Sequence, residues 1–241
     1  MAKRQKIRKA IIIMAFLLFP IIIFYFSPYL IILGAINGIV AGSVVMFSLQ
    51  FILSLFLGRS LCGYFCPVGG LQECLMLVND KKAKGSKRNL IKYFIWVPWL
   101  ITIVILFIRA GGFIEFNFFF HTKYGVSLYA PITYMIYYGV LLIVVVLALT
   151  IGRRAFCHCI CWMAPFMVIG TKASELLKLP RLHLKSNKAN CISCKKCSNK
   201  CPMSLNVQGM VEHGDMKNTE CILCGECIDT CPKNAIKYSY R

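Results

Sequence analysis

The chain has 241 residues, of which 58% are apolar and only 15% charged, with 14 cysteines and a formal net charge of +19. This composition is too apolar for an ordinary soluble domain and too poor in polar residues for a disordered chain. We therefore expect membrane-spanning segments, each built from about 20 mostly apolar residues.

Four apolar stretches qualify as transmembrane helices, since a run of roughly 17 residues is still tolerated. The first stretch follows a basic N-terminus, as in a signal peptide. No small-residue cleavage site follows it, so we predict a retained anchor. The four stretches are Ile11 to Phe26, Ile39 to Leu57, Ile91 to Ile108 and Ile132 to Ile151.

Lysine and arginine are distributed unevenly around these stretches. With four spans, 26 of the 28 basic residues fall on the side that holds both termini, and only Arg109 and Lys123 fall on the other. Basic residues accumulate on the cytoplasmic side of a bilayer. The sequence therefore predicts a multi-pass protein of the plasma (inner) membrane with both termini in the cytoplasm. Anionic lipid headgroups account for the positive charge, and no nucleic-acid partner is expected.

In this topology all the cysteines lie at the cytoplasmic ends of spans or in the cytoplasm. Disulfides are rare in that compartment because thiols are kept reduced there. Metal or redox chemistry is therefore favoured over cross-linking.

Eight cysteines form two runs in the C-terminal tail, CISCKKCSNKCP and CILCGECIDTCP. Each has the C-x2-C-x2-C-x3-C-P spacing of bacterial two-cluster ferredoxins, in which the fourth cysteine binds the cluster of the other run. We expect the proline to begin a short helix that turns the fourth thiol away. Zinc ribbons also use C-x2-C pairs, but a zinc ion does not need a third cysteine two residues on. The predicted ligand sets are Cys191, Cys194, Cys197 and Cys231 for one [4Fe-4S] cluster, and Cys221, Cys224, Cys227 and Cys201 for the other.

Nineteen residues separate Cys201 from Cys221, which is long for this type of domain, and we predict an inserted helix or loop there. The predicted domains are a four-helix transmembrane domain over 1–180 and an α+β two-cluster ferredoxin-type domain over 181–241. The segment after Pro165 reads as an amphipathic helix, and we expect it to lie along the membrane surface.

The membrane part contains an internal repeat, with units of about 1–80 and 81–170. LFLGRSLCGYFCPVGG and LTIGRRAFCHCICWMAP both give an apolar span, Gly-Arg, a cysteine, three residues and a second cysteine. Residues i and i+4 share a face of a helix, so each motif is expected to present two thiols side by side. The predicted metal-binding residues of this region are Cys62, Cys66, Cys157 and Cys161.

Four thiolates suit an iron–sulfur centre or another soft metal. Arg59 and Arg153, with Arg154, are expected to lower nearby thiol pKa values. The alternative is that these cysteines are small buried hydrophobic residues without function. Cys159 and His158 are further candidate ligands.

Together, GRSLCGYFCP, the second C-x3-C motif, the four spans and the tail resemble the NapH/MauN-type membrane ferredoxins, which are related to the membrane part of NosR. The resemblance covers nearly the whole chain. It implies electron transfer between the quinone pool or cytoplasmic donors and redox protein partners, such as ferredoxin-like or reductase subunits, or support of redox-protein maturation. The second motif differs from the family's C-x3-C-P pattern, because Trp162 follows Cys161 and Pro165 comes three residues later.

Three functions are therefore open at this point. The first is an electron-transfer component of an oxidoreductase system, with two [4Fe-4S] clusters and with a further thiolate-bound centre and a quinone as additional candidates. The second is a metal-handling or maturation factor, since Met163 and Met167 with the nearby thiols are soft ligands for Cu(I). The third is a ferredoxin held by inert spans. We expect no catalytic residues.

Overall fold

A computed structural model describes residues 2–83 and 88–240 of the chain. Three of the basic residues counted above, Lys84, Lys87 and Arg241, lie outside the described residues. The described chain is mostly helical, with two short two-stranded sheets. The helices of the N-terminal part are α1 Lys3–Leu17, α2 Phe19–Ile22, α3 Pro28–Ile36, α4 Gly42–Leu57, α5 Ser60–Tyr64, α6 Pro67–Leu75, α7 Arg88–Arg109, α8 Pro131–Thr150, α9 Ala155–Cys159 and α10 Ala164–Leu176.

Two of these helices, α7 and α8, are long and apolar enough to cross a membrane. The helices over Lys3–Leu17 and Phe19–Phe26 pass the same test only as a pair, and they are bent by 56° at the break between them. Helix α4 has 16 residues and is too short by itself. Four spanning helices are expected from the sequence. The described residues contain two helices that qualify, or three if the bent pair is one span.

The glycines of the two Gly-Arg pairs lie just after the C-terminal ends of α4 and α8. Helix α4 is followed by Gly58 with φ 55°, and α8 is followed one residue later by Gly152 with φ 116°. Side chains other than glycine rarely adopt such angles. Each helix thus ends near a glycine, and the arginine three residues before the first cysteine, Arg59 or Arg154, lies near the thiols of the motif.

At the opposite end of the spans, strands β1 Ile39–Ala41 and β2 Glu115–Asn117 pair in parallel, with Ile39 opposite Glu115. This pairing ties the segment before α4 to the loop between α7 and α8. The two repeat units are thereby joined far from the cysteines.

The two units also exchange helices near the cysteines. Helix α6, which follows the first motif, packs against α1 and against α8 of the second unit, while α10, which follows the second motif, packs against α4 of the first. Most inward positions of α10 are buried. Small residues fit α10 against α4, and its position along the membrane surface stays a prediction.

The tail folds around its two cysteine runs. Strands β3 Leu182–Ser186 and β4 Ile236–Tyr240 pair antiparallel, with Leu182 opposite Tyr240. The predicted insertion between the runs is confirmed as a helix, α12. The helices of the tail are α11 Lys196–Lys200, α12 Val207–His213 and α13 Glu226–Asp229.

One expectation about the tail is wrong. The short helices α11 and α13 precede the fourth cysteine of each run, and Cys201 and Cys231 are followed by turns instead of helices. The prolines after these cysteines therefore stop a helix and do not begin one.

The close packing of α10 on α4 is testable at Gly170, because a Cβ there would overlap the Ser54 hydroxyl and lie 3.1 Å from the Phe51 carbonyl oxygen. Overpacking costs about 1–3 kcal/mol, so Gly170→Ala should lower the melting temperature measured in detergent. Gly139→Ala in α8 is the matched control, since no heavy atom lies within 4 Å of its Cβ position. Equal melting temperatures for the two variants would contradict the exchanged packing.

Candidate metal centres

The four cysteines of the two C-x3-C motifs lie at helix ends. Cys62 and Cys157 are within α5 and α9, but these helices end before Cys66 and Cys161. The expectation of two thiols on one continuous helical face is therefore wrong. Instead the chain turns between the two cysteines of each motif, and the second cysteine leads into the next helix.

The second cysteine of each motif is positioned in the same way. The Cys66 sulfur accepts a hydrogen bond from the Gly69 amide at 3.4 Å, at the start of α6. The Cys161 sulfur likewise accepts from the Ala164 amide, at the start of α10. Both amides are three residues beyond the cysteine and belong to the unpaired first turn of a helix. The two motifs therefore share this hydrogen bond, although Cys66 is the N-cap of α6 whereas Cys161 lies two residues before Met163, the N-cap of α10.

The two motifs converge on one region. Cys62, Cys66 and Cys161 line one apolar cavity, and Cys66, Cys157 and Cys161 line a second. Cys66 and Cys161 border both cavities, and we call the four cysteines the membrane-edge set. Among the described residues, no three histidine, cysteine or acidic side chains are close enough to hold a single metal ion.

Two side chains from the exchanged helices contact this set. The Gln72 amide nitrogen donates to the Cys157 sulfur at 3.3 Å, and the Met167 sulfur lies 3.3 Å from the Cys62 sulfur. Gln72 and Met167 are each six residues beyond the second cysteine of their own motif, and each reaches the first cysteine of the other. Both are 1% exposed. Each unit thereby contributes one side chain that contacts a cysteine of the other unit.

Burial determines the protonation of these thiols. It raises the pKa of Cys66 well above its usual value and that of Cys161 to about 12, and neighbouring thiols add to both shifts because adjacent thiolates repel. The charges of Arg154 and Arg59 oppose the rise at Cys66 and Cys161 respectively. The predicted influence of these two arginines is confirmed, although burial outweighs it. A bound metal would therefore displace protons on binding.

The buried charges around the set are unbalanced. Two carboxylates serve four buried cations: Glu73 pairs with Arg8 and Arg154, and Glu220 pairs with Arg59 and Lys92. A further carboxylate, Glu226, is 3.5 Å from Arg8 and 3.8 Å from Lys9, and that lysine balances it. The inner shell thus carries a formal excess of two positive charges. Charges of this kind are stable in the interior only when compensated.

Two of these cations also have unused donors. Among the described residues, the Nε atoms of Arg59 and Arg154 are buried without a hydrogen-bond partner, although a hydrogen bond from the Arg59 side chain opposes the rise in the Cys62 pKa. Each arginine precedes the first cysteine of its motif by three residues. An unsatisfied buried donor is costly. Four thiolates around a core of charge 2+ would carry a net charge of 2−, which matches the excess. The residues present therefore fit a thiolate-bound cluster.

The remaining candidates lie outside the set. Arg153 binds Asp80 and donates to the carbonyls of Asn199 and Cys201 in the tail, and its charge opposes the rise in the pKa of the Cys201 thiol. The His158 ring is 2.6 Å from the Asn89 side chain, so one ring nitrogen is already occupied. Burial lowers the pKa of His158 to about 4, so this ring is neutral.

In the tail, each predicted ligand set is brought together. Cys191, Cys194, Cys197 and Cys231 line one cavity, and we call them the distal set. The other four, which we call the proximal set, sit deeper: Cys201, Cys224 and Cys227 are at most 8% exposed, and Cys221 is partly exposed. Within each set, the fourth cysteine comes from the opposite run. The crossed assignment of ligands stays a prediction that this arrangement allows.

The proximal set packs directly against the membrane-edge set. A Cβ on Gly63 would lie 2.5 Å from the Ile222 carbonyl oxygen and 3.6 Å from the Cys224 Cα. Cys62, Cys157 and Met167 share one continuous core with Cys201, Cys224 and Cys227. Only a glycine fits between Cys62 and this part of the tail. The three sets therefore follow one another from the tail surface to the span ends.

Two carboxylates of this site, those of Glu73 and Glu220, could not be predicted from the sequence patterns. Glu73 and Glu220 pair with arginines 81 and 161 residues away, so no periodicity marks them. Burial alone would raise the pKa of Glu220, but the charges of Arg59 and Lys92 outweigh it and hold that pKa below its usual range. A usable signal is their position, since Glu220 directly precedes Cys221 and Glu73 stands in an otherwise neutral helix.

Comparison with known proteins agrees with this geometry and defines the class. Residues 190–236 match the family described as 4Fe-4S dicluster domain, and residues 39–84 and 132–180 match the family described as 4Fe-4S binding domain. The chain thus carries ferredoxin-type 4Fe-4S domains and binds two [4Fe-4S] clusters, as predicted.

Individual relatives are more distant. The chain is 28% identical to the uncharacterized protein MJ0750 of Methanocaldococcus jannaschii, over 86% of this chain and 81% of that protein. It is 26% identical to a second uncharacterized protein of that organism, MJ0749, over 76% of this chain and 70% of that protein. It is 22% identical to YccM of Escherichia coli, named as a candidate electron transport protein, over 76% of this chain but about half, 52%, of YccM. No solved structure matches the chain significantly.

The ion pairs between the tail and the span ends can be tested at Glu220. Glu220→Gln leaves Arg59 and Lys92 buried without a counter-charge, and breaking a buried pair in this way costs about 3–5 kcal/mol. We expect faster hydrogen exchange at the amides of Ile222 and Leu223, measured by mass spectrometry.

Glu212→Gln is the control for that experiment, because the Glu212 carboxylate lies in the same tail but accepts hydrogen bonds only from Ser193 and Gln208. Similar exchange in the two variants would show that Glu220 does not hold the tail in place.

Proposed function

We propose that this chain is a membrane-bound iron–sulfur electron-transfer protein whose three cysteine sets form a path from the cytoplasmic surface to the membrane edge. The observation that carries the proposal is the contact of Gly63 with the Ile222–Cys224 backbone, which leaves no layer of side chains between the proximal and membrane-edge sets. When bound, iron–sulfur clusters supply one-electron transfer. The chain's own contribution is to hold the three sets in sequence.

The membrane location rests on length and charge. Helix α4 spans about 24 Å, and the three residues of β1 that precede it add about 10 Å, so the two together approach the roughly 30 Å of a bilayer core. With the bent α1–α2 path, α7 and α8, this makes four crossings. The basic residues then lie almost entirely on the side of the tail, which supports cytoplasmic termini in the plasma (inner) membrane.

A third iron–sulfur centre at the membrane-edge set is part of the proposal. Its ligands would be Cys62, Cys66, Cys157 and Cys161, in the segments that match a 4Fe-4S binding domain. The two excess positive charges and the free Nε donors of Arg59 and Arg154 would stabilise a thiolate-bound cluster. Hydrogen bonds to ligand sulfurs and buried charge tune the potential of such centres. The family suggested is the NapH/MauN-type membrane ferredoxins.

A quinone is a fitting partner for this edge of the protein. The cavity that Cys66, Cys157 and Cys161 border is otherwise lined by apolar and aromatic side chains from α2, the following turn and α8, including Phe19, Phe24 and Val140. Ligand pockets of small molecules are mostly apolar with few polar groups. Electrons would then be exchanged between the quinone pool or a cytoplasmic donor and a redox protein partner. Electron transport, the role in YccM's name, is consistent with this.

A metal-handling or maturation role is the second candidate function. The contact of the Met167 thioether with Cys62 favours it, since thiolate and thioether sulfur are the ligands that Cu(I) prefers. In that case the tail clusters would serve as the reductant.

Iron analysis of anaerobically purified protein tests the proposal. Two [4Fe-4S] clusters hold about eight irons per chain, and we expect about four more in the wild type if the third centre is a cubane. Cys66→Ser should remove the additional iron and its paramagnetic resonance signal while the tail signals persist. Cys74→Ser is the matched control, since this cysteine lies outside all three sets.

Other outcomes would contradict the proposal. Eight irons in both the wild type and Cys66→Ser would reduce the protein to an anchored ferredoxin. Stoichiometric copper that Cys66→Ser or Met167→Leu removes would favour metal handling.

A further inference from the structure

Among the described residues, the lysines around the first cysteine run and just after the second form no ion pair. From Lys185 to Lys200 the chain has five lysines and no aspartate or glutamate. Lys195 and Lys233 border the cavity of the distal set, and within the described residues neither pairs with a carboxylate. We call the following exposed residues the basic face: Lys185, Lys188, Lys195, Lys196, Lys233 and Lys237.

Three of the five acidic residues of the tail face the N-terminal part of the chain. Asp229 pairs with Arg4 at 2.8 Å, Glu226 with Arg8 and Lys9, and Glu220 with Arg59. All three thus contact the N-terminal part of the chain. The ferredoxin-type tail therefore binds the rest of the protein through its acidic side and leaves its lysines outward. The nearest carboxylate of the basic face, Glu212, is bound by Ser193 and Gln208.

The distal set reaches the surface within this face. Cys194 is exposed, whereas Cys201, Cys224 and Cys227 of the proximal set are buried. Between the first two cysteines of the run, Ile192 is 57% exposed. An exposed apolar side chain ringed by unpaired charges is the usual anatomy of a docking site, with an apolar centre and a polar rim.

The strand pair of the tail adds a second observation. Lys185 and Lys237 stand directly opposite each other in the β3–β4 ladder, and both are exposed. Like charges in this position are destabilising. A stabilising contribution from an outside negative charge would offset that cost.

We propose that the basic face docks a small acidic one-electron carrier protein, and that electrons enter or leave the chain at the edge of the distal set marked by Cys194. This rests on the proposed function in requiring a redox-active distal cluster. In the encounter the reduced carrier loses one electron and the oxidised cluster gains it, and no bond or proton is exchanged. The lysines attract the carrier and orient it, as complementary charge does in other rapid associations.

An acidic protein is a better partner for the basic face than anionic lipid, because the basic face lies on the side of the tail away from the carboxylates that pair with the N-terminal part. The carboxylates of the tail that form ion pairs with the N-terminal part, and so lie toward the span ends, are Glu220, Glu226 and Asp229. Lipid headgroups would meet these carboxylates first.

The test uses the full chain in phosphatidylcholine nanodiscs and a reduced acidic flavodoxin as the probe. Stopped-flow absorbance gives the second-order rate constant for cluster reduction. For the wild type we expect this constant to fall about tenfold as salt rises from about 50 to about 500 mM, because screening weakens steering. Lys195→Glu/Lys233→Glu should be about tenfold slower at low salt and nearly independent of salt.

Lys172→Glu/Lys178→Glu is the control with the same change of charge, since both lysines are exposed and lie outside the basic face. It should stay within about twofold of the wild type. A Lys195→Glu/Lys233→Glu variant that is as fast and as salt-dependent as the wild type overturns the proposal. So does a wild-type rate that collapses when anionic phosphatidylglycerol is added to the nanodiscs, because headgroups then occupy the face.

Photoreduction by a neutral deazaflavin separates this proposal from the function on which it rests. Normal cluster signals in paramagnetic resonance, together with no reduction by flavodoxin in any variant, would refute the docking surface alone. The absence of cluster signals after photoreduction would refute the electron-transfer function itself.

Discussion

Two buried carboxylates hold the described structure together at the point where the tail meets the spans. Glu220 joins Arg59 and Lys92 across the contact between the tail and the N-terminal part, and Glu73 joins Arg8 to Arg154 beneath it. Removing either carboxylate would leave two cations in the interior, which proteins tolerate poorly. The proximity of the three cysteine sets, and therefore the proposed electron path, depends on these ion pairs.

The internal repeat gives this junction its form. Each unit ends its span at a glycine, turns through an arginine and a cysteine, and places a second cysteine at the start of a helix that packs on the other unit. Gln72 and Met167 occupy equivalent positions, but one donates a hydrogen bond to sulfur and the other offers a thioether. The frame is thus nearly symmetric while the chemistry at its two ends differs.

The features that follow from short sequence spacing could be predicted. The ligand spacing of the tail is fixed by the size of a cluster, and the repeated C-x3-C motif identifies the residues that converge at the membrane edge. The features that depend on distant contacts could not. The breaks in α5 and α9, the burial of α10 and the pairing of Glu73 and Glu220 arise because segments far apart in sequence pack together, which leaves no periodic signal.

The exchange of α6 and α10 has a consequence for biogenesis. Helix α6 can pack against α8 only after more than fifty further residues have been synthesised. Helix α4 can pack against α10 only after more than a hundred further residues have been synthesised. Neither half of the chain can therefore mature alone on the ribosome. The packing of α6 and α10 has to follow completion of both halves, so a truncated product would keep unpacked helices and an incomplete membrane-edge set.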